Sequence, residues 1–385
     1  MENPLLQPFD LTPFSKIKTA HFKPAFEKAL QQARAEVDAI AENNDPPTFE
    51  NTVAALDYAG YQLDRISSAF FNLNSADTNK EIQALAQEIS PMLAAFANDI
   101  TLNEGLFKRV QAVYENTDKD ALTPEDRMLL ERKFRHFSRN GALLPEAGKK
   151  RLREIDEALS RLKLTFGEHV LEETQRFELH LREAAALEGL PDSAREAARM
   201  LARMRHQEGW VFHLDYPSYL PFMKYAENRG LREELALAFG SRGFQGDDLD
   251  NRETLMEIAR LRYERARLLG YENHAHFVLE ERMAKSPESV TGFLEDLLEK
   301  ALPAARRELE ELQAFARGRD GLQQLEKWDS AFYSEKLKQQ KFSLDEEELK
   351  PYFELGNVLQ GLFQVAGTLF GLRFEEDPSI DTYHE

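Results

Sequence analysis

Apolar residues recur along most of this chain at the three- and four-residue spacing of one helix face. Phe22, Phe26, Leu30, Val37 and Ile40 stand 4, 4, 7 and 3 positions apart, which aligns them in a single stripe. The break Asn43 to Pro47 ends that helix, and the pattern predicts others over about 49–71, 80–100 and 104–114. Thr123, Pro124 and Asp126 form a strong helix start: Thr caps, Pro suits the first position, and the acid favours the positive end of the dipole. That helix is expected to reach Asn140 and stop at Gly141. Pro145 opens another, carried by Leu152, Ile155, Leu159, Leu162 and Phe166. The period then changes to two, with Phe177, Leu179 and Leu181 alternating with Glu178, His180 and Arg182, which predicts a short strand. Trp210 to Leu214 is its expected partner, with a helix over about 191–205 between them. Pro217 and Pro221 break that second strand and open a helix through Tyr225. Helices follow over about 231–239, 251–269, 290–317 and 357–370. The first 20 residues, with Pro4, Pro8 and Pro13, read as an extended arm laid on a surface. The expected class is all-α with one small hairpin-like element.

Composition agrees with that class and narrows the partners. The chain has 385 residues, 30% of them charged, with 19 Gly and 16 Pro placed mostly between periodic segments. Its net charge of −19 repels a bare phosphate backbone, and the basic clusters, such as Arg132, Lys133 and Arg135, are interleaved near acids as on a solvated helix face. No nucleic-acid partner is expected. With no cysteine, disulfides, thiol catalysis and thiolate metal sites are excluded. The start of the chain, with acids and prolines, lacks a basic, apolar secretory signal, and no stretch approaches the ~18 apolar residues of a membrane span. No membrane partner and a cytoplasmic location are the expectation. No fixed repeat of a solenoid is visible.

Candidate chemistry is sparse. A helical zinc site needs two imidazoles one turn apart with a carboxylate beside them, and none of the nine histidines has that spacing. His274 and His276 flank Ala275 just after a helix expected to end at Gly270, and packing or surface roles are assigned to them. His206 and His213 straddle the predicted strand, with His213 on the Val211 side, and are read as structural. The acidic loop Gly246, Asp247, Asp248, Asp250 lacks the glycine and terminal Glu of a calcium loop and reads as a helix-opening turn. Arg260, Arg262, Arg265 and Arg267 crowd one helix; Arg260 with Glu264, and Glu264 with Arg267, have the spacing of surface ion pairs. There is no nucleophile elbow and no phosphate-cradling glycine loop. The residues alone assign no catalytic, metal or cofactor-binding position.

Two segments carry a resemblance. The run Pro217-Ser-Tyr-Leu-Pro221 followed by Tyr225-Ala-Glu-Asn-Arg-Gly-Leu-Arg-Glu233, and the run Trp328-Asp-Ser-Ala-Phe-Tyr-Ser-Glu-Lys336, are similar to the oligopeptidase A and thimet oligopeptidase family of zinc metallopeptidases. The second run follows Trp-Asp-x-x-Tyr-Tyr-x-x-Lys, with Phe332 in place of the first Tyr. The match extends from Asn3-Pro4-Leu5-Leu6 through the Leu269-Gly270-Tyr271-Glu272-Asn273 turn. It implies a two-lobed helical scaffold with a deep channel that admits only short peptides, and a zinc at its floor. Within it, 1–20 is an arm, 21–150 a helical domain, 151–224 helices with two strands, and 225–385 the start of the peptidase domain. The motif His-Glu-x-x-His that would hold the zinc is absent; Tyr383-His384 matches an aromatic-His pair ahead of the metal helix. The resemblance therefore implies a channel-wall portion, truncated before the metal, inactive alone and binding no zinc. Trp328 and Tyr333 are possible channel-lining residues, with core packing an equal reading. A missing C-terminal half, or a second copy, is the expected partner. The alternative is a non-catalytic helical scaffold that binds peptides or a protein.

Overall fold

The computed structural model describes residues 3–9, 11–344 and 346–384. Helices α1 (Thr19–Ala41), α2 (Ala55–Tyr58), α3 (Tyr61–Ala76), α4 (Lys80–Thr101), α5 (Glu104–Asn116), α6 (Pro124–Arg139) and α7 (Glu146–Arg176) follow in order. Strand β1 (Leu179–Leu181), α8 (Asp192–Met204), β2 (Trp210–Phe212), α9 (Tyr216–Tyr225) and α10 (Arg229–Gly240) come next. The chain continues with α11 (Arg252–Leu268), α12 (His274–Leu279), α13 (Pro287–Asp320), α14 (Ser330–Phe342), α15 (Glu346–Leu349) and α16 (Leu355–Phe370). The all-α class with one two-stranded sheet is the one observed.

The chain forms two compact units, one of residues 1–166, 254–286 and 377–385, the other of 167–253 and 287–376. The divisions expected at 150/151 and 224/225 fall inside α7 and α9. The units are assembled from segments distant in sequence, which a search for linkers cannot detect.

In the first unit, the stripe read from the sequence is the core: Phe22, Phe26, Leu30, Val37 and Ile40 are all buried on α1. Phe22 and Phe26 meet Phe70 of α3 edge-on at 5.0 and 5.6 Å. Such pairs add to the area they bury. The arm lies along these helices, but not as a fully extended strand. Pro4–Leu6 and Phe14–Lys16 are 3₁₀ turns, Leu5 is buried, and the Arg65 guanidinium covers the Phe9 ring at 3.8 Å. The helix expected over 49–71 is interrupted. A π-helical turn, Phe49–Ala54, runs into α2, and Gly60 at φ +82° breaks the ladder before α3. A left-handed residue cannot continue an α-helix, and Gly adopts that conformation without steric cost. The loop after α1 is pinned by the buried Arg109, which donates to the carbonyls of Asn43 at 2.6 Å and Asp45 at 3.1 Å. Thr123 caps α6 as expected, accepting from the Asp126 amide at 3.1 Å.

In the second unit, β1 and β2 pair antiparallel with Leu179 opposite Phe212 and Leu181 opposite Trp210. This is the predicted pairing with shorter strands. Leu179, Leu181, Phe212 and Leu214 join Phe222, Met223 and Leu235 in the core. Gly209, at φ +92°, leads into β2, and a Cβ there would lie 2.3 Å from the Leu181 carbonyl oxygen. Gly209→Ala is therefore expected to destabilise this unit by about 2 kcal/mol or more, since strained backbone and a clash with the sheet add. Urea unfolding followed by tryptophan fluorescence checks it; a loss under about 0.5 kcal/mol would contradict the geometry.

Candidate functional site

The two segments that carry the resemblance, far apart in sequence, meet in the second unit. Asn228 starts α10 by accepting from the Leu231 amide at 3.2 Å. One helical turn then separates Arg229 from Arg232, so both reach the same neighbour. That neighbour is Asp329, at the start of α14. Arg229 grips it with two nitrogens, Nε to Oδ1 at 3.0 Å and Nη2 to Oδ2 at 2.8 Å. Arg232 adds Nη2 to Oδ1 at 3.2 Å, and the Glu326 amide donates to Oδ2 at 3.0 Å. Asp329 is 0% exposed and Arg232 1%. Burial pushes the Asp329 carboxyl up, but the Arg229 hydrogen bond, the Glu326 amide and Arg232 outweigh it and hold it below the usual carboxylate value. For Arg232 burial wins, and its guanidinium lies below its ordinary value despite Asp329.

The rest of both motifs is consumed in the same joint. Arg232 also donates to the carbonyls of Trp328 at 3.2 Å and Ala226 at 2.7 Å, and its guanidinium lies 4.0 Å from the centre of the Phe332 ring. Glu227 pairs with Lys336 at 2.8 Å and Arg319 at 3.2 Å. Buried Glu335 pairs with Lys338 at 2.8 Å. The Tyr333 hydroxyl donates to Asp320 at 2.9 Å, and burial together with that carboxylate pushes its pKa up to about 12. Tyr333 is thus a core residue. Trp328 is half-buried against the core of Leu179, Phe212 and Leu235, with Arg229 over its ring at 5.6 Å. Sequence reasoning selected these segments but missed Glu227, Arg232, Asp329 and Lys336 as a network. No local signal marked it, because Glu227 and Lys336, like Arg232 and Asp329, lie far apart in sequence. An arrangement in which each carboxylate is already paired offers no free base; it fixes α10 to α14.

The remaining sequence candidates are separated. His274 and His276 lie on α12, a short helix that was not expected, capped by Asn273 through the Ala275 amide at 3.0 Å. His276 Nδ1 lies 3.0 Å from Asn273 Oδ1. His213 Nδ1 lies 2.9 Å from Asp215, and His206 takes a left-handed φ of +56°. Among the described residues no group of three or more His, Asp or Glu side chains could hold a metal ion. The donors here, lone imidazoles with no second one a helical turn away, do not fit a zinc. Glu385, paired in sequence with His384, lies outside the described residues. In the acidic loop, Asp247 pairs with Arg176 at 2.6 Å and Asp250 with Arg252 at 2.9 Å. On α11, Arg260 does reach Glu264 at 3.1 Å, but the other partner of Glu264 is Arg151, at 2.6 Å. The pair with Arg267 is replaced because Arg151 offers a fork with two donors. Arg265 turns inward to Asp156 at 2.7 Å.

Residues 222–385, which include Tyr225–Glu233 and Trp328–Lys336, match the model of Peptidase family M3. Over 100% of its length the chain is 36% identical to oligopeptidase A of Salmonella typhimurium, of which it covers 57%. It is 35% identical to dipeptidyl carboxypeptidase of Escherichia coli, over 96% of this chain and 55% of that protein. It is also 32% identical to a probable cytosolic oligopeptidase A of Arabidopsis thaliana, over 96% and 54%. The chain is similar to oligopeptidase A and to Peptidase family M3, and it spans little more than half the length of these relatives.

Proposed function

We propose that this chain supplies the wall of a peptide channel in an oligopeptidase A-like zinc metallopeptidase that hydrolyses short peptides, and that it performs no hydrolysis alone. The joint on Asp329 carries this reading: the segments that mark the family act as a brace between α10 and α14, not as acid, base or metal ligand. A brace of this kind holds helices at fixed spacing, and fixed spacing is what a channel needs to exclude folded proteins. In such a wall Trp328 and Tyr333 act from behind, Tyr333 anchored on Asp320 and Trp328 set between Arg229 and the core. Zinc, where the complete protein binds it, would polarise the peptide carbonyl and activate water; the residues described here would only admit and confine the substrate. The absence of cysteine and the name of the plant relative support a cytoplasmic setting. Among the described residues no helix is long and apolar enough to cross a membrane.

The purified chain, supplied with zinc, is expected to leave an internally quenched short peptide uncut and to retain no stoichiometric metal after gel filtration. One tightly held zinc per chain, lost on His274→Ala or His276→Ala, would overturn the reading.

A further reading, a scaffold that binds another protein, is favoured by one observation. Helix α16 has no buried residue, although Val358, Leu359, Leu362, Phe363, Val365, Leu369 and Phe370 follow one another around it.

A further inference from the structure

Helices α4, α6, α7, α11 and α12 of the first unit surround a cavity of about 440 Å³ that neither the peptidase reading nor the joint on Asp329 uses. The lining includes the apolar Ala94, Ala97, Leu159 and Phe277 together with the basic Lys163, Arg262, Arg265, His136 and His274. Asp156 is the one carboxylate on the lining, and Arg265 occupies it at 2.7 Å. Lys163 and Arg262 make no hydrogen bond or ion pair among the described residues. Two positive charges are therefore left over. His274 Nδ1 is buried with no hydrogen-bond partner, and His136 Nε2 lies 3.1 Å from Thr101 Oγ1.

The surroundings of both rings disfavour the charged imidazolium. Burial, then Arg262, Arg265 and Lys163, hold the His274 imidazole below its ordinary value. Burial, then Lys133, does the same for His136, with Arg265 and Arg139 acting in the same direction and Glu281 against them. In a protein of net charge −19, a pocket of unmatched positive potential favours an anion.

We propose that this cavity binds the phosphate group of a small organic phosphate, with Lys163, Arg262 and Arg265 as its cationic grip and the imidazoles of His136 and His274 as additional donors. The leftover charge matches a phosphomonoester, which carries about −1.5 to −2 near neutral pH. A carboxylate supplies only one. Donors arriving from α6, α7, α11 and α12 suit a tetrahedral group better than a planar one. The volume is in the range of small-molecule sites, roughly 300–1,000 Å³, and leaves room beyond one phosphate. The apolar lining residues take the organic part.

The test is calorimetric titration of the intact chain with ribose 5-phosphate, inorganic phosphate and acetate at constant ionic strength. Ribose 5-phosphate is expected to bind one per chain, inorganic phosphate more weakly, and acetate not at all. Lys163→Ala and Arg262→Gln should each weaken ribose 5-phosphate at least about tenfold, as loss of a charged hydrogen bond does. Arg267→Gln, on α11 but off the lining, should leave it unchanged. Both variants remove unpaired cations, so the fold is expected to persist. Should either fail to fold, the wild-type chain decides by NMR: the His274 ring should titrate at higher pH with ribose 5-phosphate bound. Equal affinity for inorganic phosphate would overturn the organic part of the assignment, and equal affinity for acetate the phosphate. No binding of any probe, equal loss in Arg267→Gln, or an unmoved His274 titration would overturn the site.

Discussion

Asp329→Ala is expected to cost the second unit about 3–5 kcal/mol, the scale on which removal of one member of a buried ion pair destabilises a fold. Arg232, 1% exposed, would keep its charge and lose its carboxylate. The other bonds of Arg232 are to the carbonyls of Ala226, Glu227 and Trp328, which solvate a cation but do not neutralise it. Arg229→Ala should cost less, because its side chain is 39% exposed and water replaces the lost partner. Urea unfolding of the three proteins, followed by Trp328 and Trp210 fluorescence, gives the order. A double variant, Arg232→Met with Asp329→Leu, should recover much of the loss, since apolar replacement of a buried pair is often neutral or better. A single Asp329→Ala cost below about 1 kcal/mol would sink the account. The pH dependence has a fixed sign. The folded pKa of Asp329 is lowered, so its contribution is complete above the unfolded value near 3.9 and is lost as pH falls through the lower folded value. The wild type should therefore lose this stability below about pH 4, while Asp329→Ala should show a flatter profile there.

Self-association through α16 is the second large effect expected. Leu362, Leu369 and Phe370 are 59%, 69% and 74% exposed, and the helix is apolar around most of its circumference. Phe363 stacks on Phe374 at 4.4 Å, a contact with the segment that follows and not with the core. An exposed apolar area beyond a few hundred Å² is rare on a monomer and marks an interface. Light scattering across concentration is expected to show a mass that rises above the monomer, unless the remainder of a longer peptidase covers the helix. Burial of one Leu is worth about 2 kcal/mol, so Leu362→Glu with Leu369→Glu should weaken association by roughly two orders of magnitude or more. The thermal transition of the diluted protein should hardly move, because both side chains are exposed. A strictly monomeric wild type at high concentration, unchanged when a downstream half of such a peptidase is added, would remove the interface.

The sequence by itself determined whatever depends on neighbours within a turn or two. The buried stripe of α1, the Thr123 cap, the stop at Gly141 and the switch to period two at β1 and β2 were legible, because side-chain spacing and capping are local physics. The resemblance to the oligopeptidase A family was legible too, from the segments ending at Glu233 and Lys336, whose residue order carries it directly. The break at Gly60 was not, since a glycine inside a helical pattern is tolerated unless the chain must turn, and only the folded backbone, with Gly60 at φ +82° and its amide donating to Glu36 at 2.8 Å, shows that it does. Helix α12 was hidden for the same kind of reason: its six residues are too few for a periodic signal. The joint on Asp329 and the cavity beside His274 were decided by tertiary structure alone. Their members lie about 100 positions apart in sequence, and a charge on a helix reads as surface until the opposite wall supplies its partner. Burial, which turns Asp329, Arg232 and Arg265 from solvated side chains into fixed ones, is a property of the assembled helices and of no single segment.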